Sequence, residues 1–383
     1  MAKVYLKDVV TRVKDKVDKN NTDLEFYIGG EHFDNGEIRI TKRGTIAGST
    51  IGPAFHMRFE PGDVLLMSRN PHLRKASVVD FEGICSDVSY VCRTKDENVL
   101  MQKFLPFIFQ SDDFWRFAEE NKKGSTNFFL NWSDFEKYEF ILPTIETQRK
   151  LAKILWSFED TKAAYKKLLE KTDELVKSQF IERFGNLLAN DKMWPEYRLG
   201  DISTSRLGKM LDSKKQTGKY LHPYLANVNV QWFRFDLTNL NWMDFDEVAQ
   251  SEFELRPRDL MVCEGGEIGR CAIWTGELKD CYYQKAIHRV RCDESIIIPE
   301  YLAYLFYYHS QMNGFSDVVG NKVTIAHLPG DKLKAMRIMV PPLPFQEQFA
   351  AFARQSDKSK FELRQAIADV DSLAKALMQQ ELH

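Results

Sequence analysis

Apolar positions recur three and four residues apart along two stretches of this chain, and fall in short runs between turn residues elsewhere. The first stretch, residues 142–184, carries Leu151, Leu155, Phe158, Tyr165, Leu169, Val176 and Phe180 on one stripe, with Lys162 and Thr172 interrupting it. The second, residues 341–380, carries Phe349, Phe352, Leu363, Ile367, Val370, Leu373 and Leu377 on a similar stripe. This spacing is a heptad seam on a long amphipathic helix. Neither helix can bury its stripe alone, so the two are expected to bury them against each other. At ~1.5 Å per residue each forms a rod of roughly 60 Å, longer than the core of a small domain requires.

The two stretches are also copies. Pro143 aligns with Pro341 and Gln148 with Gln346, each helix following prolines and a Gln. Upstream, Leu6-Lys7-Asp8-Val9 matches Leu199-Gly200-Asp201-Ile202, and Asp63-Val64-Leu65 matches Asp259-Leu260-Met261, with Arg74 meeting Arg270. The chain therefore reads as globule, rod, globule, rod: residues 1–142, 143–190, 191–340 and 341–383. Within the globules, strands are expected at Phe26-Tyr27-Ile28, Glu37-Ile38-Arg39-Ile40, Asp63 to Met67, Tyr224-Leu225-Ala226 and Gln231 to Phe235, each beside Gly, Pro, Asn or Asp turn residues. Helices are expected near Met101–Glu120 and Pro299–Met312. The fold class is α/β (α+β): two mixed globules in pseudo-twofold repeat, joined by two helices in an antiparallel coiled coil.

Composition changes this picture little. At 383 residues two or more domains are expected. A net charge of −2 does not announce a nucleic-acid partner, although net charge is silent on local basic surface. No apolar run is long enough to span a membrane and the first residues lack a signal-peptide core, so a soluble, cytoplasmic protein is expected. The six cysteines form no CxxC pair and have no His at finger spacing, which favours reduced thiols packed in strands over a zinc site.

Outside the rods and the strands that enter each globule, the two halves share little sequence. One scaffold presenting two different surfaces implies two related readers with different targets. In this arrangement the chain resembles the specificity subunit of type I restriction–modification enzymes, across essentially its whole length. The resemblance rests on the order of its parts, on the Pro- and Gln-containing openings of both rods, and on Asp259-Leu260-Met261 followed by Gly265-Gly266-Glu267-Ile268-Gly269-Arg270. The matching loop of the first half, Arg69 to Arg74, has no glycine. The resemblance implies two target recognition domains, each reading one half of a split double-stranded DNA sequence. It implies that the rods pair, set the gap between half-sites and dock methyltransferase subunits, two in number, which recruit restriction subunits. It also implies no cofactor in this chain, with S-adenosylmethionine, ATP and Mg belonging to partner subunits.

The residues agree that catalysis is not expected. Asn70-Pro71-His72-Leu73 lacks the second proline and aromatic platform of a base-flipping methyltransferase loop. The loop Gly265 to Gly269 is not followed by the Lys-Ser/Thr of a phosphate cradle. The acidic group Asp244, Asp246 and Glu247 does not lead into a nuclease strand. What remains are polar side chains suited to phosphates and base edges. In the first half these are Lys42, Arg43, Ser49, Thr50, Arg69, Asn70, His72, Arg74 and Lys75. In the second they are Arg206, Lys209, Lys214, Lys215, Asn227, Asn229, Gln231, Arg270, Gln284, Lys285, Asn321 and Lys322. Two apolar residues off the seam, Ile154 and Trp156, divide between partner contact and core packing. The alternative reading is a coiled-coil scaffold whose globules bind protein ligands.

Overall fold

The structure, a computed structural model, describes residues 2–186, 189–212, 216–312, 314–315 and 327–382. The chain divides into two compact units, Met1–Lys167 with Leu363–His383, and Leu168–Glu362. Both long helices are present, Ile145–Phe184 and Leu343–Leu382, each of 40 residues.

In the first unit a strand of wholly buried residues, Val64–Met67, is central. It pairs antiparallel with Ser89–Thr94 on one side and Ala76–Val78 on the other, and Val10–Val13 extends that sheet beyond Ser89–Thr94. A second sheet of Gly44–Thr45, Phe26–Ile28, Gly83–Ser86 and Phe55–Phe59 packs Ile28, Phe59 and Cys85 against Leu65 and Val91. The other face of the first sheet buries Val64 and Leu66 under two helices, Leu105–Gln110 and Asp112–Glu120. One helix was expected there; Ser111 splits it, its hydroxyl capping the second by accepting from the Phe114 amide.

The second unit repeats this plan. Leu260–Cys263, again wholly buried, pairs with Ile287–Cys292 and Cys271–Ile273, and Ser203–Leu207 joins at the edge. The second sheet is Asn241–Asp244, Leu221–Leu225 and Tyr282–Tyr283. The helix expected near Pro299 spans Pro299–Gln311 and covers the remaining face with Tyr301, Leu302, Leu305 and Phe306. In each unit a short antiparallel pair, Ala2–Tyr5 with Glu139–Leu142 and Glu196–Arg198 with Arg337–Met339, leads into a long helix.

Two expected strands take other forms. Glu37 to Ile40 buries Ile38 and Ile40 but meets Val78 only through an isolated parallel bridge at Arg39, so its alternation reflects burial without a ladder. Gln231 to Phe235 is a tight hairpin, Val230–Gln231 against Arg234–Phe235, because Phe233 turns the chain at φ 63°.

The long helices run antiparallel. In the first unit Leu155, early in the first helix, packs in one core with Ala374, Leu377 and Met378, late in the second. In the second unit Phe180 and Phe184, late in the first helix, meet the Phe349 ring at 5.1 and 5.5 Å. Leu151, Leu155, Val176 and Phe180 are buried, while Phe158, Tyr165, Leu169, Phe352, Leu363, Ile367, Val370 and Leu377 are partly buried. Leu373 is 57% exposed, since Ala374, one residue on, takes the inward position. Lys162 does not break the seam outward: it is buried within it and ion-paired.

Candidate nucleic-acid interface

Each central hairpin carries one loop beyond its buried strand. In the first unit Ser68 to Lys75 follows Val64–Met67, a three-residue turn at Pro71–Leu73 flanked by Asn70 and Arg74, both left-handed at φ 51° and 50°. A second segment pins it from the side. The Asn70 amide donates to Phe128 O at 2.9 Å, and the Leu130 amide to Ser68 O at 2.8 Å.

In the second unit the loop is Glu264 to Arg270. Gly266 and Gly269 supply its left-handed turns at φ 75° and 78°, and a Cβ at Gly269 would lie 2.3 Å from the Phe315 ring, so only glycine fits. The same kind of brace recurs: the Leu328 amide donates to Glu264 O at 2.7 Å. The absence of glycine from the first loop is thus met by a different turn on the same frame.

Many candidate side chains around these loops already have protein partners. Arg74 Nη1 lies 2.6 Å from Asp112, whose other oxygen takes Lys375 at 2.9 Å. Burial alone raises the Asp112 pKa, but hydrogen bonds from these two cations outweigh it and hold the carboxyl below its ordinary value. Lys75 Nζ donates to Gly30 O at 2.7 Å, and Lys42 is paired with Asp34. The Arg43 guanidinium lies 3.8 Å from the Phe26 ring centre, and Ser49 donates to Ile46 O. Thr50, Arg69 and His72 are exposed, and among the described residues Arg69 and His72 form no ion pair.

In the second unit Arg270 Nη2 donates to Asn227 O at 2.9 Å, Asn227 Nδ2 donates to Gly265 O at 2.8 Å, and Trp232 Nε1 donates to Glu267 at 2.6 Å. Arg270 Nε and Asn227 Oδ1 are buried without a protein partner among the described residues. Asn229 is buried, accepting from the Ala226 amide and donating to Asp236 O and Asn239 O. Gln231 donates to Val228 O, Lys209 to Asp244 O, and Arg206 pairs with Glu252 at 2.6 Å over the Phe253 ring. Gln284 forms a parallel bridge with Lys209, whose amide donates to Tyr283 O and whose carbonyl accepts from the Lys285 amide, both at 3.0 Å, and the Lys285 side chain is exposed. Lys214, Lys215, Asn321 and Lys322 lie outside the described residues.

Residues that resembled catalytic groups are turn builders. Asp244 accepts from the Gly218 and Tyr220 amides at 2.9 and 3.0 Å, and Asp246 caps the helix Glu247–Glu252. Among the described residues no cluster of His, Cys, Asp or Glu has metal-holding geometry, and no helix is long and apolar enough to cross a membrane. Ile154 is 41% exposed, whereas Trp156 packs edge-on against Phe107 and donates to Lys103 O.

Sequence reasoning missed what clamps the entry to each central strand. Asp63 and Asp259, at the mouths of the central strands, are buried carboxylates that chelate Arg93 and Arg291 and also accept the Glu60 and Arg256 amides. Both globules repeat this clamp, so the fixed Asp spacing was the available signal. Gln148 and Gln346 are fully buried and fasten each long helix to the globule before it.

A family model described as type I restriction modification DNA specificity domain matches residues 1–173 and 191–370. The chain is similar to the putative type I restriction enzyme MjaX specificity subunit of Methanocaldococcus jannaschii, 23% identical over 172 residues. That match covers 44% of this chain and 40% of the relative's length. Among solved structures it is similar to a chain from work on complex assembly and conformational transition of the type I R-M system, with TM-score 0.56, 17% identity and coverage of 99% and 97% of the two chains. It is also similar to the type I restriction-modification system S subunit from M. genitalium, with TM-score 0.58, 14% identity and coverage of 100% and 96%. At these identities the structural likeness is one of fold.

Proposed function

We propose, from the premise that this chain belongs to the type I restriction–modification DNA specificity family, that it is the non-catalytic sequence reader of such a complex, each globule recognising one half of a bipartite double-stranded DNA target. The observation that carries the reading is the duplicated hairpin: one braced frame, repeated with the same buried strand and Asp–Arg clamp, bearing two loops of unlike chemistry. A frame held constant while its loop varies is what two readers of different sequences require. Arg69 and His72 in the first unit, and Lys285 with the Asn227–Arg270 loop in the second, are the side chains we assign to base edges and phosphates.

The paired long helices, in this reading, set the gap between half-sites and dock two methyltransferase subunits. The exposed leucines Leu175 and Leu373, 198 positions apart, give the two helices equivalent apolar points for two copies of one partner. S-adenosylmethionine, ATP and Mg would then belong to the methyltransferase and restriction subunits, and the complex would act in the cytoplasm.

Co-expression with the methyltransferase partner, followed by methylation mapping of the host genome, tests this directly. Two short methylated elements at a fixed gap are expected; one continuous site, or none, refutes it. Replacing residues 1–142 with those of a relative should change one half-site and leave the other. DNA affinity should also fall steeply with salt, which separates a DNA reader from a scaffold for protein ligands.

A further inference from the structure

Two lysines lie within the seam, each held by carboxylates from both long helices. Lys162 is buried in the first unit, its Nζ 2.7 Å from Asp371 and 3.1 Å from Glu159. Lys360 is buried in the second, its Nζ 2.7 Å from Asp357 and 3.0 Å from Asp173. Lys162 and Lys360, Glu159 and Asp357, and Asp173 and Asp371 are each 198 positions apart, so one three-member cluster occurs twice. Burial lowers both ammonium pKa values, but the carboxylates more than offset this and leave them above the ordinary lysine value.

Between the helix ends that pack into the globule cores, an apolar seam alone tolerates sliding. A shift of one heptad, about 10 Å, puts apolar residues back against apolar residues. The clusters do not tolerate it. Slid one way, Lys162 faces Met378 and Lys360 faces Phe180; slid the other way, they face Arg364 and Lys166. Either slide takes the partner helix's carboxylate from a buried ammonium, which is strongly unfavourable.

We propose that the Lys162 and Lys360 clusters are a register lock: they select one antiparallel alignment of the long helices, and thereby the gap tolerated between DNA half-sites. Gln148 and Gln346 fasten each helix start to its own globule, so a change of register becomes a change in the separation of the readers. The link to DNA rests on the function proposed above, whereas the lock itself does not.

The full chain carrying K162M/K360M tests it. Methionine keeps the length of lysine without its charge. Asp371, Asp173 and Asp357 are exposed enough to be solvated once their lysine is gone, so folding is expected to survive with a loss of stability that falls mainly on the half-buried Glu159. Methionine also makes the slide towards Met378 and Phe180 wholly apolar. Arg183 donates to Gln348 at 3.3 Å, so the pair R183C/Q348C reports the native register by disulfide formation and R183C/Q355C reports that slide. With both lysines present only the native pair should cross-link. K162M/K360M should raise the yield of the shifted pair several-fold, and K162R/K360R should restore the original pattern. Should the methionine variant fail to fold, D173N/D371N, which removes only the partner-helix carboxylates, is read in the same way. Cross-linking confined to the native pair in these variants overturns the lock. Methylation mapping separates the two claims: a new gap differing by about three base pairs, at ~3.4 Å per pair, is expected. Shifted cross-linking with an unchanged map keeps the lock and overturns its link to the gap.

Discussion

Gln148→Ala isolates the fastening between the first long helix and the globule before it. Gln148 is fully buried; its Oε1 accepts from the Met101 amide at 3.0 Å, and its Nε2 donates to Val99 O at 2.8 Å and Pro143 O at 2.9 Å. Truncation deletes all three bonds and strands the Pro143 carbonyl in a buried position. A neutral hydrogen bond contributes about 1 kcal/mol net, and a stranded buried group costs about 1–3 kcal/mol. Because Val99 is near the surface, its carbonyl regains water, and the sum comes to about 3 kcal/mol. With a urea slope of about 2 kcal/mol/M, the midpoint of the first unit should fall by about 1.5 M. Gln346→Ala should do the same to the second unit, where Gln346 holds the Ile298 amide at 3.0 Å and the Ile296 and Pro341 carbonyls. Hydrogen exchange followed through a urea series distinguishes the units, the amides of the buried strand Val64–Met67 reporting one and those of Leu260–Cys263 the other. A midpoint shift under about 0.3 M, or equal deprotection of both strands by Q148A, would refute the reasoning.

Three further outcomes are expected. Asp63→Ala leaves Arg93 without its chelating carboxylate and the Glu60 amide without an acceptor, so urea denaturation should show a loss of about 3 kcal/mol, with D259A matching it in the other unit. Asp112 has its pKa depressed by Lys375 and Arg74, so its contribution to stability is full above the ordinary carboxylate pKa and is lost as pH falls through the depressed value. D112N should accordingly flatten the acid limb of a urea-midpoint titration, and a limb as steep as that of the parent would count against the assignment. Gly269→Ala forces a Cβ into the Phe315 ring at a left-handed φ, so it should weaken DNA binding through the second half-site while methylation maps keep the first half-site unchanged.

The long helices were legible because a heptad seam repeated over 40 residues leaves few alternatives. The wholly apolar strands Val64–Met67 and Leu260–Cys263 were legible for a related reason, being too short for helices and set off by turn residues. Legibility failed where burial and hydrogen bonding part company. Ile38 and Ile40 alternate as a strand does, yet they are buried by irregular backbone. The run from Gln231 to Phe235 hid a turn because Phe233, a residue type that disfavours positive φ, makes it. Lys162 read as an interruption because seam logic treats charge as exposed, and only its partner Asp371, more than two hundred residues away in sequence, reverses that reading. The candidate DNA contacts were hardest, since residue type alone does not reveal that Asn229 is enclosed in its own turn while Arg69 is exposed.

The duplicated interactions and the unduplicated ones separate cleanly by role. Asp63–Arg93 recurs as Asp259–Arg291, Gln148 as Gln346, and the Lys162 cluster as the Lys360 cluster; all of these are buried, charged or hydrogen-bonded contacts whose loss leaves a polar group stranded. Between the braces the loops obey no such symmetry: the first uses Asn70 and Arg74 in left-handed backbone, the second Gly266 and Gly269. Stability is therefore vested in pairs that cannot change one member at a time. The loops are braced at Asn70 and Leu130 or at Leu328 through main-chain atoms, so away from turn positions such as Gly269 their side chains are free to differ. A main-chain brace is indifferent to side-chain identity, so loop residues can diverge without loosening the frame. That division lets one duplicated scaffold come to present two different reading surfaces.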